Sequence, residues 1–148
     1  MKLEKTTIDQ INVLVNISKE AFDNDITVGA QGKGGPPEYD DVNWHIQMMK
    51  EGHLFTASDD GKIVGAAIVF KGEKRELFIG RIFIDPIYHR KGYGTALMKE
   101  LEKQFSDCET VYLDTPVWNT RTNAFYCKLG YVEVKRDKEF VYYKKDLV

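Results

Sequence analysis

The stretch Asp85-Pro86-Ile87-Tyr88-His89-Arg90-Lys91-Gly92-Tyr93-Gly94-Thr95 decides how this chain is read. It joins an apolar run with strand character, Leu77 to Ile84, to a run with helical spacing, Thr95 to Phe105. Pro86 ends the strand. Gly92 and Gly94 open the helix, and His89, Arg90 and Lys91 stand just before them. A helix start leaves backbone N–H groups unpaired at the positive end of the macrodipole. Glycine there removes the Cβ and lets the backbone close around an anion. The N–H groups of Arg90, Lys91, Gly92, Tyr93, Gly94 and Thr95 therefore read as a seat for a phosphate-bearing ligand, with charge-assisted contacts from the Arg90 and Lys91 side chains. Taken alone, the segment fits equally a glycine-rich turn with solvated basic residues.

The rest of the chain bounds that reading. Its 148 residues, 43% hydrophobic and 30% charged, fit one soluble domain with a real core. A net charge of −2 argues against a dedicated nucleic-acid binder, so the basic residues near Gly92 are a local feature. No apolar run approaches the ~18 residues of a membrane span, and the polar N-terminus lacks the apolar core of a signal peptide. A cytoplasmic location is the default expectation. Cys108 and Cys127 form no C-x-x-C pair, and with three scattered histidines they make no metal site. Buried free thiols are the expectation for both.

Working outward, Ile8 to Phe22 places Ile8, Ile11, Val15, Ile17, Ala21 and Phe22 at helical spacing, with Thr7 as N-cap. Asn24 to Glu38 holds four glycines and two prolines, Gly29, Gly32, Gly34, Gly35, Pro36 and Pro37. Loops of that length in small domains are usually functional or mobile. Tyr39 to Glu51 resumes helical spacing through Val42, Ile46 and Met49, and Gly52 stops it. Strands follow at His53 to Ser58 and Lys62 to Lys71, around the tight turn Asp59-Asp60-Gly61. A third strand spans Arg75 to Ile84, where Gly80 marks a bulge or a close backbone approach. After the Thr95–Phe105 helix come a strand at Thr110 to Thr115, a helix at Thr120 to Leu129 ended by Gly130, and a hairpin of Tyr131 to Lys135 with Phe140 to Lys144. The expected fold is a single α/β (α+β) domain over residues 1–148, with one mixed, mostly antiparallel sheet flanked by helices.

Two motifs in this order carry a resemblance. The strand closes in Ile84-Asp85-Pro86, and His89-Arg90-Lys91-Gly92-Tyr93-Gly94 follows the pattern Gln/Arg-x-x-Gly-x-Gly/Ala, with His89 replacing the usual Gln or Arg. Asn119, Phe125, Tyr126, Gly130 and Tyr131 match Asn-x-x-Ala-x-x-Phe/Leu-Tyr-x-x-x-Gly-Phe, with Thr122 at the alanine position. The chain thus resembles the GCN5-related N-acetyltransferases, the GNAT family. The resemblance implies a GNAT-like acyl-CoA N-acyltransferase fold, acetyl-CoA as cosubstrate, and a primary amine of a small molecule or peptide as acceptor. With the charge, hydropathy and Cys/His pattern above, no metal, nucleic-acid or membrane partner is expected, and the resemblance leaves a homodimer open.

By the same resemblance the pyrophosphate sits on residues 90–95, and the pantetheine arm pairs with the backbone of Ile82, Phe83 and Ile84. One N–H of that strand holds the acetyl carbonyl, where an oxyanion develops. Asn119 touches the cofactor arm, and Tyr126 is the general acid that protonates the departing thiolate. Asn119 fits an N-cap as well, and Tyr126 fits plain helix packing. The amine must lose a proton before attack. Asp114 is the first candidate base, Glu76 the second and His45 the third, although each also fits a surface or salt-bridged role. The Asn24–Glu38 loop and the helix with Tyr39, Trp44 and His45 would wall the acceptor pocket. Cys127 has no adjacent base, so a covalent acyl-enzyme is not expected.

Two rivals exist. Gly92-x-Gly94 with Asp114 20 residues later superficially matches a dinucleotide-binding fingerprint. Leu97 occupies the third glycine position, however, and seven residues separate Ile84 from Gly92 where a tight turn is needed. The other rival is an acyl-CoA-binding module without turnover.

Overall fold

The computed structural model describes residues 1–147. In chain order the elements are β1 (Lys2–Lys5), α1 (Ile11–Asp23), α2 (Val42–Lys50), β2 (Leu54–Asp59), β3 (Lys62–Lys71), β4 (Glu76–Ile84), α3 (Tyr93–Gln104), β5 (Thr110–Pro116), α4 (Thr120–Lys128), β6 (Val132–Arg136) and β7 (Phe140–Asp146). Short 3-10 turns occupy Ile8–Gln10, Asn24–Val28 and Pro86–Tyr88. Asp60 and Gly61, both at positive φ (51° and 77°), make the two-residue turn that folds β2 onto β3. The strands form one sheet in the order β1-β2-β3-β4-β5-β7-β6, antiparallel throughout except for the parallel pair β4–β5. A dinucleotide-binding fold needs a run of parallel strands, so that rival does not survive.

Helices cover both faces. Leu97, Met98 and Leu101 of α3 are fully buried with Tyr126 of α4 against Leu77, Ile79, Val111 and Leu113. Each such side chain contributes about 2 kcal/mol by leaving water. On the other face Ile11, Leu14, Val15 and Ile17 of α1 pack on Leu54, Ala66, Ile68 and Phe83, with Trp44 and Ile46 of α2 beside them. Among the described residues no helix is long and apolar enough to cross a membrane.

Several local expectations shift. Residues 2–5 form an edge strand against β2, where only polar N-terminal sequence was apparent. The second helix starts at Val42, not Tyr39, because the Asp41 carboxylate accepts the Trp44 N–H (2.9 Å) and caps it. The third starts at Tyr93, two residues before Thr95, since Gly92 takes φ 80° and serves as its N-cap. Cys108 is buried as expected, but Cys127 is exposed on α4.

The bulge at Gly80 matters most. Ile68 pairs with Arg81 while Val69 pairs with Ile79, so Gly80 is the extra residue. It keeps Ile79 and Ile82 on the α3 side and turns Arg81 and Phe83 to the α1 side. β4 and β5 pair only from Glu76 to Ile79. Beyond that point β4 stays with β3, and β5 continues against β7 as far as Pro116. The sheet therefore splits between its two central strands. Gly65 shows how close the backbones are beside the split: a Cβ there would lie 2.1 Å from the Phe83 carbonyl oxygen. Gly65→Ala should lower unfolding free energy by about 3 kcal/mol in urea titrations. Gly32→Ala, with nothing within 4 Å of the added Cβ, should stay within about 0.5 kcal/mol of the parent.

Candidate active site

A cleft of about 620 Å³ opens at the split. Ile82, Phe83 and Ile84 form its floor, and the turn from Tyr88 to Thr95 closes one end. Phe22, Asp25 and Val28, from the end of α1 and the turn after it, make one wall. Arg121, Thr122, Phe125 and Tyr126 of α4 make the other.

The floor offers backbone polarity. Asp85 N–H donates to the Val64 carbonyl (2.8 Å), and Val64 is the neighbour of Gly65, which pairs with Ile84. Antiparallel alternation then turns the backbone groups of Phe83 toward β3 and those of Ile82 and Ile84 toward the gap. Of the three residues picked from sequence, Ile82 and Ile84 present hydrogen-bonding backbone, whereas Phe83 contributes its ring. The Ile84 carbonyl is already taken: His89 Nε2 donates to it (3.0 Å). His89 thus ties the loop before α3 to the end of β4.

The closed end is a helix start. The first hydrogen bond of α3 runs from Ala96 N–H to the Gly92 carbonyl, which leaves the Tyr93, Gly94 and Thr95 N–H groups without intrahelical partners. Arg90 (φ 66°) and Gly92 (φ 80°) both take left-handed backbone and curl the loop into a nest of the kind that holds anions. Gly94 serves a different purpose, since a Cβ there would meet the Phe125 ring at 3.3 Å. The Arg90 backbone turn lines the cleft, but Lys91 does not; its ammonium lies over the Tyr88 ring, 5.8 Å from the centroid.

Tyr126 is buried at 6% exposure and projects from α4 into the gap. Burial, helped by the nearby Asp114 charge, pushes its phenol well above the usual tyrosine range. Asp114 stands on the opposite face of β5, in register with Tyr142, and does not line the cleft. Burial, with the charge of Asp137 second, raises its carboxyl. Asn119 also lies outside the cleft: its Oδ1 accepts the Thr122 N–H (3.0 Å) and caps α4. Glu76 pairs with Thr110 at the closed end of the β4–β5 ladder, away from the gap. His45 is fully buried behind Phe83, and burial lowers its pKa.

Sequence reading missed one feature. Asp25, 8% exposed, accepts from Arg121 Nη2 (2.8 Å), so an ion pair joins the two walls across the cleft. Burial raises the Asp25 carboxyl, and the Arg121 charge partly offsets this. The partners lie 96 residues apart, and no local pattern links them.

The whole arrangement has relatives. A model of the acetyltransferase (GNAT) family matches residues 15–131, and the chain belongs to that family. An uncharacterized N-acetyltransferase of Mycobacterium tuberculosis is 32% identical over 80 residues, 53% of this chain and 51% of that one. The chain thus matches about half the length of that relative. Among solved structures, the PaiA N-acetyltransferase of Thermoplasma acidophilum in complex with coenzyme A superposes with a TM-score of 0.82 at 17% identity, covering 98% of both chains. A GNAT-family acetyltransferase of Streptococcus agalactiae gives 0.85 at 18% identity, over 98% of this chain and 94% of that one.

Asp114 allows a check of the electrostatics. Its folded-state pKa is raised, so the folded protein binds the proton more tightly than the unfolded chain does. Its contribution to stability is therefore lost as pH rises from the ordinary aspartate range through the raised value. Asp114→Asn should raise Tm at pH 7, and the gain should vanish below about pH 3.8, where both states are protonated. Differential scanning calorimetry across pH would measure this.

Proposed function

We propose that this chain is an N-acetyltransferase that moves an acetyl group from acetyl-CoA directly to a primary amine of a small molecule or peptide. One observation carries the reading: β4 and β5 part directly in front of an anion-binding helix start, and Tyr126 stands in the gap. The cosubstrate supplies an activated thioester and a thiolate leaving group.

The chain's own groups suit the other tasks. The free N–H groups of Tyr93, Gly94 and Thr95 face a pyrophosphate, and the Arg90 turn curls around it. The amide-bearing arm lies along the exposed edge of Ile82 and Ile84 like an added strand. Because His89 occupies the Ile84 carbonyl, the Ile84 N–H and the two groups of Ile82 remain for that pairing. A strand N–H pointing into the gap stabilises the oxyanion as the amine nitrogen bonds to the acetyl carbon. The C–S bond then breaks, and Tyr126 gives its phenolic proton to the thiolate. The raised pKa keeps the phenol protonated at neutral pH, so an O–H stands ready beside the sulfur as charge develops on it, and the phenolate left after transfer regains a proton from water.

Asp114 lies outside the cleft on β5, and in this scheme its raised carboxyl serves as a base only by drawing the ammonium proton through water. Asn119 orders the start of α4 in this scheme rather than gripping the arm through its Oδ1. Cys127 is exposed and lies outside the cleft, so the transfer is direct. A cytoplasmic location completes the reading.

Tyr126→Phe should reduce kcat about 100-fold or more while leaving the CoA dissociation constant within twofold; unchanged turnover would remove the acid role. Gly92→Glu brings a carboxylate to the anion seat. It should weaken CoA binding at least 100-fold by titration calorimetry, with the circular dichroism spectrum unchanged. Retained affinity would place the phosphates elsewhere. Release of free thiol from acetyl-CoA in the presence of an amine panel separates an enzyme from a binding module.

A further inference from the structure

Two buried polar side-chain atoms are left without hydrogen-bond partners among the described residues, and both lie on the α1–α2 side of β4: Arg81 Nη1 and His45 Nε2. Native structures satisfy nearly all such groups, so a pair of them in one place points to a missing partner. The Arg81 guanidinium lies over the Trp44 indole, its Cζ 4.4 Å from the ring centroid. Its Nη2 donates to the Pro37 carbonyl (3.0 Å), in the glycine- and proline-rich loop. A guanidinium presents parallel N–H groups spaced for two oxygens, and the loop supplies only one. No carboxylate among the described residues lies within salt-bridge distance of Arg81. Glu38 acts on it only at longer range. The chain therefore carries a half-satisfied cation two residues from Phe83, which lines the cleft, while Arg81 itself lies behind that lining under the loop.

We propose that Arg81 is the acceptor-specificity residue of this site, and that the acceptor amine carries a carboxylate which displaces the Pro37 carbonyl and fills both tines of the guanidinium fork. The inference rests on the acetyl-transfer reading above and names the class of its substrate. The Gly29–Glu38 segment is the cover that gives way. Gly32 and Gly34 have nothing within 4 Å of a Cβ position, and Gly29, Gly34 and Glu38 take positive φ (120°, 148° and 64°), so the segment contains several pivots. Tyr39 anchors its far end, through its carbonyl to Ser18 Oγ (2.7 Å) and its hydroxyl to Asp23 (2.8 Å).

His45 completes the site. Its Nδ1 donates to the Asp41 carbonyl (2.7 Å), so Nε2 holds a lone pair. A carboxylate arriving beside it favours uptake of one solvent proton there, and both orphans become donors. The charged groups facing His45 are Arg81 from β4 and Asp40 and Asp41 from the start of α2, and its other neighbours are the Trp44 and Phe83 rings.

The test is a panel of α- and ω-amino carboxylates of two to six carbons, each paired with its amide or with the amine lacking the carboxylate. Initial rates of thiol release are measured with the intact chain and saturating acetyl-CoA. At least one carboxylate should exceed its neutral partner tenfold or more in kcat/KM. Arg81→Gln should erase that preference by raising KM for the carboxylate at least tenfold more than for its neutral partner, with CoA affinity unchanged. Arg81→Lys, which keeps the charge but not the fork, should recover only part of the preference. Neutral or cationic amines outrunning every carboxylate would overturn the proposal, as would a preference that survives in Arg81→Gln. CoA binding by calorimetry reports on the cofactor site independently. Intact CoA binding with no carboxylate accepted would sink this inference alone, whereas absent CoA binding would sink the transfer reading beneath it. Should Arg81→Gln fail to fold, the wild-type panel still decides.

Discussion

The structure depends on an interruption in hydrogen bonding at the centre of its own sheet. After Ile79 the two middle strands stop pairing, and each keeps only its outer neighbour. Unpaired strand edges inside a protein are costly unless something satisfies them. Here the Gly80 bulge creates the opening, and the Phe83 ring, the Tyr126 phenol and the His89 imidazole partly fill it. The remaining groups, the Ile82 amide and carbonyl and the Ile84 N–H, are the ones an amide-bearing ligand can use. The α3 helix start lies at the mouth of the same opening because the loop from Asp85 to Gly92 is short and pinned to the end of β4. Anion seat and strand edge are therefore one mechanical unit.

Much of this was legible in the chain. Proline after the strand, glycine at the helix start and glycine inside the strand each mark a backbone constraint, and all three fell where the sequence placed them. The patterned elements from His53 onward also followed, because each carries its own period or turn chemistry. The edge strand at residues 2–5 was hidden: only Leu3 of its four residues is buried, so it shows little apolar alternation. The Asp25–Arg121 pair was hidden for another reason. Its partners meet only after the sheet has brought α1 and α4 to opposite sides of one gap, and no spacing along the chain encodes that meeting.

Asn119 and His89 show how a motif residue can act through the backbone rather than on a ligand. Asn119 spends its side-chain oxygen on the Thr122 N–H, which fixes the first turn of α4 and with it the direction of Tyr126 one helix length later. His89 spends its Nε2 on the Ile84 carbonyl, which fixes the floor against the anion seat. Sequence alone could not say which side-chain atoms were already engaged.

Some of the perturbed groups lie at or near the opening, while others, such as the buried Tyr131 and Tyr143 phenols, lie elsewhere in the core. Asp25 and Asp114 are carboxylates that burial makes harder to ionise, Tyr126 is a phenol that burial makes harder to ionise, and His45 is an imidazole that burial makes harder to protonate. The two orphaned polar atoms lie on the α1–α2 side of β4. Away from the opening the charged groups behave as ordinary surface pairs, such as Lys71 with Asp107 and Arg136 with Glu133. Groups held partly desolvated before a ligand arrives gain most when it supplies the missing partner. The split sheet and the orphaned side-chain atoms thus share one strand, with backbone left unpaired at the edge of β4 toward β5 and charge left unpaired on the α1–α2 face of β4.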